Sequence, residues 1–129
     1  HRDCAQSCTF VTGHLKDGTC DLDWPALTRP RQTVVIYMGL SGLASICSQL
    51  VAHGLSHDWP AAVVAQGTSA TQQTVCATLG TLPAAVAQAG LQSPCLTIVG
   101  EVVRLRDELG WFENARAQGG QTASITLQA

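Results

Sequence analysis

The residues with the most chemical potential are six cysteines and four histidines. His1, Cys4, Cys8, His14 and Cys20 fall within one short stretch, and zinc uses such ligands. Zinc sites, however, favour closely spaced Cys and His pairs. Here only Cys4 and Cys8 are close, and a strand begins there. Packing and loop positions are therefore the expectation, with no metal site. The chain contains no G-x-S-x-G, no P-loop and no H-E-x-x-H. Gly39-Leu40-Ser41-Gly42 has the look of a phosphate-binding turn, but also of a plain strand-to-helix turn. His53 and His57 flank Gly54 and are expected to be solvated, and Lys16-Asp17-Gly18 reads as an ordinary turn. No catalytic dyad is visible, so no catalytic residue is assigned.

Two short steps carry more. Met38-Gly39 and Gln66-Gly67 each end an apolar run with a glycine. If both runs are neighbouring strands, these glycines lie at the edge where open α/β sheets bind ligands. Glycine there allows close backbone approach, and Met offers a soft apolar surface to a flat or thioether ligand. The alternative is that both glycines only make turns and Met38 fills core. The stretch after Gln66, residues 67–73, is small and polar between two apolar runs. It reads equally as a hairpin turn or as a loop shaped for a ligand.

The positioning elements follow from periodicity. Residues 8–14 alternate weakly and read as a strand ending at Gly13, with a connecting loop over 15–32. Within that loop, "DWPAL" predicts one helical turn with Asp23 as cap and Pro25 near its start. "TVVIYMG", 33–39, is β-branched and apolar throughout, a strand buried on both faces. Leu40, Leu43, Ala44, Cys47, Leu50 and Val51 recur at helical spacing, and Gly54 stops that helix. Residues 61–66 and 73–79 read as adjacent strands that could pair antiparallel. Thr81, Pro83 and Gly90 mark the cap, first turn and terminator of a second helix, and 95–100 is a fifth strand. "EVVRLRDELG" predicts a final helix with Val102, Leu105 and Leu109 inward and an Arg104–Glu108 pair. The order predicts an α/β domain with a mixed five-stranded sheet flanked by helices.

Composition narrows the setting. At 129 residues, 46% hydrophobic and 12% charged, the chain is expected to be one packed domain. A net charge of −2 provides no basic field for nucleic acid. No apolar run has the length of a membrane span, and the start has no signal-peptide pattern. Cys47, Cys76 and Cys95 sit in apolar, regular segments, so the expectation is reduced thiols and a cytoplasmic location. The absence of an initiator Met reads as a piece of a longer chain. Residues 115–129 are expected to form a polar, flexible tail beyond a domain at 1–114.

Four segments in series, "HRDCAQSCTFVTGHLKDGTCDLDWPAL", "TVVIYMGL", "VVAQGTSATQQTV" and "LTIVGEVVRLRDELGWF", carry a resemblance. Together they resemble the C-terminal half of the uroporphyrinogen-III C-methyltransferases, in the tetrapyrrole methylase family, and more narrowly the methyltransferase module of bacterial siroheme synthases. The resemblance implies a two-domain fold with S-adenosyl-L-methionine and a tetrapyrrole in the cleft between domains. It implies methylation of uroporphyrinogen III to precorrin-2 in siroheme biosynthesis. NAD-dependent oxidation and iron insertion would belong to a separate module of the parent chain. By position, Met38 and Gly67 match cofactor-contacting residues, and Arg2 and His14 match positions facing the tetrapyrrole. An Arg fork suits a substrate rich in carboxylates. The implied partners are the N-terminal half of the enzyme and a second copy in a homodimer. Ala65, Gln66 and Gln73 depart from the family's acidic residue, Asn and Arg, and Cys4 stands where an aromatic is common. The family's cofactor loop and its acid and base residues belong to the N-terminal half. The chain alone is therefore expected not to catalyse. The alternatives are another tetrapyrrole methylase of cobalamin assembly, or a non-catalytic scaffold or dimerisation domain.

Overall fold

The computed structural model describes residues 1–14 and 20–110. The expected turn at 16–18 and tail at 115–129 lie outside the described residues. The strands are β1 (Ser7–Thr12), β2 (Gln32–Tyr37), β3 (Pro60–Ala65), β4 (Gln73–Thr78) and β5 (Cys95–Val99). The helices are α1 (Trp24–Leu27), α2 (Leu43–Ala52) and α3 (Leu82–Ala89), followed by a 3₁₀ turn, Glu101–Leu105, and α4 (Arg106–Leu109). One five-stranded sheet runs β1-β2-β5-β3-β4. Among the described residues only β1 and β2 pair in parallel; β5 is antiparallel to both β2 and β3, and β3 and β4 form an antiparallel hairpin. The sheet is thus mixed, as expected. One expectation changes: β2 and β3 are not neighbours, because β5 inserts between them.

Alternation along the strands gives the sheet two unlike faces. Val34, Ile36, Val63 and Val99 point to the face covered by α2 and α3, where Leu43, Ile46, Cys47, Leu50, Leu82 and Val86 meet them. Each fully buried Ile, Leu or Val here stabilises by roughly 1.5–3 kcal/mol. Within α2 the inward stripe includes Ile46, whereas Ala44, expected inside, is exposed. Leu40 lies before the helix, in the turn that enters it. Asp23 caps α1 as expected, accepting from the Ala26 N–H at 3.2 Å. Gly90 ends α3 in the left-handed region. Thr81 begins α3 but gives it no side-chain cap; its Oγ1 accepts from the Thr78 N–H at 3.1 Å instead.

The opposite face carries Phe10, Val35, Tyr37, Leu96, Ile98, Ala62 and Val64, by the register of the ladders. Phe10 is 63% and Tyr37 49% exposed, with ring centroids 6.3 Å apart. The final segment departs from its prediction. It is a 3₁₀ turn followed by one turn of α-helix, and none of its residues is fully buried. In a 3₁₀ turn residues i and i+3 eclipse. Arg104 accordingly pairs with Glu101 at 2.7 Å, not with Glu108. Val102, Leu105 and Leu109 line an open apolar groove of about 550 Å³ with Ala62, Val64 and Ile98.

Candidate functional site

The C-terminal ends of β1, β2 and β3 lie on one edge of the sheet, together with the start of β5. Two of these strands end alike. Met38 after β2 and Gln66 after β3 both have φ 53°, in the left-handed region. Non-glycine residues seldom occupy that region, and where they do the surrounding structure holds them there. For Gln66 the holding groups are visible. Its N–H donates to the Pro94 carbonyl at 3.1 Å and its side-chain Nε2 to the Ser93 carbonyl at 3.2 Å. Ser93-Pro94 leads into β5, so the strand inserted between β2 and β3 is what ties the two ends into one edge.

A cleft of about 490 Å³ opens there. Its lining includes His14, Tyr37, Met38, Ser41, Pro94 and Cys95. The volume falls in the range of small-molecule sites. Met38 is 61% exposed, so it does not fill core and its side chain is available to a ligand. A second, smaller hollow of about 240 Å³ lies beside it, lined by Gln66, Thr71, Gln73 and Gln92. Burial pushes the Cys95 thiol up, and Cys95 Sγ donates to the Gln92 carbonyl at 3.0 Å. Cys95 is therefore kept as a neutral thiol at the cleft.

The two glycines of the edge differ in what they do. A Cβ on Gly39 would meet Ile36 Cγ2 at 3.0 Å and Ile46 Cδ1 at 3.3 Å. Gly13, at the end of β1, is as tight: its Cβ would meet Ile36 Cγ2 at 2.9 Å and the Gly39 Cα at 3.0 Å. Gly13 and Gly39 are thus packing glycines that seat two strand ends against each other and on α2. Gly67 is not in the left-handed region, and its Cβ would meet only Val64 Cγ1, at an ordinary 3.5 Å. Nothing inside the described fold requires a glycine at 67. The open side is what a ligand approaching the backbone would use.

The loop beyond it is both a hairpin connection and an organised surface. Two β-turns follow one another, with Ser69 N–H donating to the Gln66 carbonyl and Gln72 N–H to the Ser69 carbonyl, each at 3.2 Å. Ser69 Oγ also donates to the Gln66 carbonyl at 2.7 Å, and Thr68 Oγ1 to the Gly67 carbonyl at 2.6 Å. The Thr68 N–H donates to the side chain of Gln72 at 2.8 Å. Sequence reasoning singled out Gly67 and the polar stretch 67–73 but not Gln72 within it; a glutamine in a polar turn gives no pattern by itself.

His14 and Met38 are brought together at the cleft, and Gln66-Gly67 stands along the same edge. Arg2 is not brought there. Its carbonyl accepts from Arg31 Nη2 at 3.3 Å, and Arg31 immediately precedes β2. Since β1 and β2 are parallel, the Arg2 backbone lies towards the start of these strands, whereas His14 follows the end of β1. His53 is exposed, with its ring stacked on Trp24 and Nδ1 donating to the Gln49 carbonyl at 2.7 Å. Among the described residues no group of three His, Cys, Asp or Glu side chains could hold a metal ion. Among the same residues no helix is long and apolar enough to cross a membrane.

An α/β domain with a mixed sheet and a cleft at one strand edge has the general form of open-sheet domains, whose ligands bind at that edge. Comparison with known proteins makes the class specific. A family model for Tetrapyrrole (Corrin/Porphyrin) Methylases matches residues 1–83, and the chain belongs to that family. It is 63% identical over 112 residues to the siroheme synthase of Methylobacillus flagellatus, covering 87% of this chain and 24% of that protein. It is 60% identical over 119 residues to that of Stutzerimonas stutzeri, covering 92% of this chain and 26% of that one. The chain thus spans about a quarter of the length of these relatives. Among solved structures, uroporphyrin-III C-methyltransferase of Thermus thermophilus, complexed with S-adenosylhomocysteine, superposes with a TM-score of 0.68. That match has 29% identity and covers 81% of this chain and 46% of that one. The cobalt precorrin-4 methyltransferase, at 17% identity and a TM-score of 0.69, shares the fold.

Proposed function

We propose that this domain is the C-terminal half of an S-adenosyl-L-methionine-dependent uroporphyrinogen-III C-methyltransferase, which makes precorrin-2 for siroheme. The observation that carries the reading is the edge shared by His14, Met38 and Gly67, where one glycine has no internal reason to be glycine. Identities of 60% and more to siroheme synthases favour siroheme formation over the other tetrapyrrole methylations. The C-terminal placement rests on the sequence motifs, and a domain matching 46% of the Thermus enzyme has the size of one of two halves.

S-adenosyl-L-methionine supplies an activated methyl group when bound. The chain's own contribution is to position. Gly67 presents backbone at close range, and Met38 lays an exposed thioether and methylenes against the ligand. His14, exposed at the end of β1, would donate to the carboxylates of the tetrapyrrole. Arg2 is left out of this set, since its backbone lies towards the start of β1 and β2. The rest of the cleft and the groups that move protons would come from the N-terminal half. Methyl transfer needs donor and acceptor carbon in line at near-attack distance, which one wall of a cleft does not enforce. Oxidation with NAD and iron insertion would fall to a separate module.

Calorimetric titration of S-adenosylhomocysteine into this chain and into the whole gene product tests the reading. The expected result is stoichiometric binding by the whole product only, with methylation of uroporphyrinogen III. Tight binding by this chain alone would overturn the division of the site between two halves. Methylation of a different tetrapyrrole in preference to uroporphyrinogen III would move the assignment to another methylase of the family.

A further inference from the structure

We propose that Gln72 is a positioning residue that holds the Gly67 backbone in its ligand-accepting shape. The inference rests on the reading above that Gly67 meets the cofactor. Gly67 lies between two residues in the left-handed region, Gln66 at φ 53° and Thr68 at φ 63°. For Thr68 this is an outlier, since its branched Cβ crowds the backbone there. A loop of this shape relaxes unless both peptide planes around Gly67 are tied.

The plane before Gly67 is tied through the Gln66 carbonyl, which accepts from the N–H and the Oγ of Ser69. The plane after Gly67 is tied through the Thr68 N–H, which donates to Gln72 Oε1 at 2.8 Å. Gln72 suits this task because its backbone is fixed twice. It donates to the Ser69 carbonyl, and its successor, Gln73, is the first residue of β4, paired with Ala65. A strand-anchored side chain thus reaches back across the mouth of the loop to the one residue whose conformation is most costly. The Gly67 N–H makes no hydrogen bond among the described residues, which leaves it as the donor this arrangement presents.

The test uses the whole gene product carrying Gln72→Leu, which keeps volume and removes the acceptor, and Gln72→Glu, which keeps an acceptor oxygen. S-adenosylhomocysteine affinity is measured by calorimetry, melting temperature by calorimetric scan, and exchange of the Thr68 amide by NMR without ligand. Gln72→Leu is expected to weaken binding roughly five- to tenfold, the size of one net hydrogen bond. Its melting temperature should be unchanged and its Thr68 amide should exchange faster. Gln72→Glu should restore both affinity and protection. Wild-type affinity in Gln72→Leu, or a Gln72→Glu as weak as Gln72→Leu, would overturn the inference alone. A wild-type product with no affinity for S-adenosylhomocysteine would instead overturn the functional reading, and this inference with it.

Discussion

The ends of β2 and β3 use the same backbone device for different purposes. Each strand closes on a residue at φ 53°, Met38 or Gln66, and each is followed by a glycine. At β2 the glycine is demanded from below: Ile36 and Ile46 leave no room for a Cβ. At β3 the glycine is demanded by nothing below it, and its open side faces outward. Identical sequence punctuation therefore marks a packing joint at one strand and a candidate ligand contact at the other. The distinction lies entirely in what the neighbouring layer brings up beneath each turn.

The largest expected effect attacks the joint itself. Ile46→Ala should cost about 2–5 kcal/mol, because Ile46 is only 1% exposed and supports both Gly13 and Gly39. Urea denaturation of the variant measures it, and a loss under about 1 kcal/mol would show that α2 does not seat these strand ends. Gly39→Ala should cost about 1–3 kcal/mol by overpacking. Combined with Ile46→Val, which removes the Cδ1 that stands 3.3 Å from the added Cβ, part of that cost should disappear. Strict additivity of the two changes would break the packing account of Gly39.

Gly67→Ala inverts the pattern. Stability should change by no more than about 0.5 kcal/mol, as for a surface position without strain. Affinity of the whole gene product for S-adenosylhomocysteine should fall at least about tenfold, or about 1.4 kcal/mol. A variant that is destabilised but binds normally would make β3's end a second packing joint and erase the contrast.

The smallest effect concerns pH and the core below both ends. Burial pushes the Cys47 thiol up from 9.0 to about 11, against a weaker lowering by a backbone hydrogen bond. The unfolded chain then releases this proton first as pH rises. Stability is therefore fully present below pH 9 and declines between about 9 and 11. Denaturation at several pH values should show a shallower decline for Cys47→Ala than for the parent. Equal slopes would place Cys47 outside the buried layer.

Strand and helix identity was legible because each element has strong local causes. "TVVIY" is β-branched and apolar, Asp23 and Pro25 start α1, and Gly90 ends α3. The last segment was misread because apolar spacing at Val102, Leu105 and Leu109 fits a helix whether or not anything covers it. The structure offers those residues only an open groove, and the chain tightens into a 3₁₀ turn. Within α2, spacing could not choose between Ala44 and Ile46 as the inward residue; the place where α2 crosses β2 chose Ile46. At the site, Met38, His14 and the Gln66-Gly67 step were legible as strand-end residues. Sequence order does not say which end of the sheet a residue reaches, and the Arg2 backbone is found towards the start of β1 and β2.

By itself the sequence determined the alternation of strands and helices, the family, and the loop that follows β3, because these depend on short-range pattern and residue type. Only the tertiary structure decided that β5 runs between β2 and β3, and with it that Met38 and Gln66 meet across Ser93-Pro94 on one edge. It also decided which glycine serves packing and which is left open, and that Gln72 reaches back to Thr68. Each of these depends on which segments, distant or folded back, come within a few ångströms, and residue type does not encode that distance.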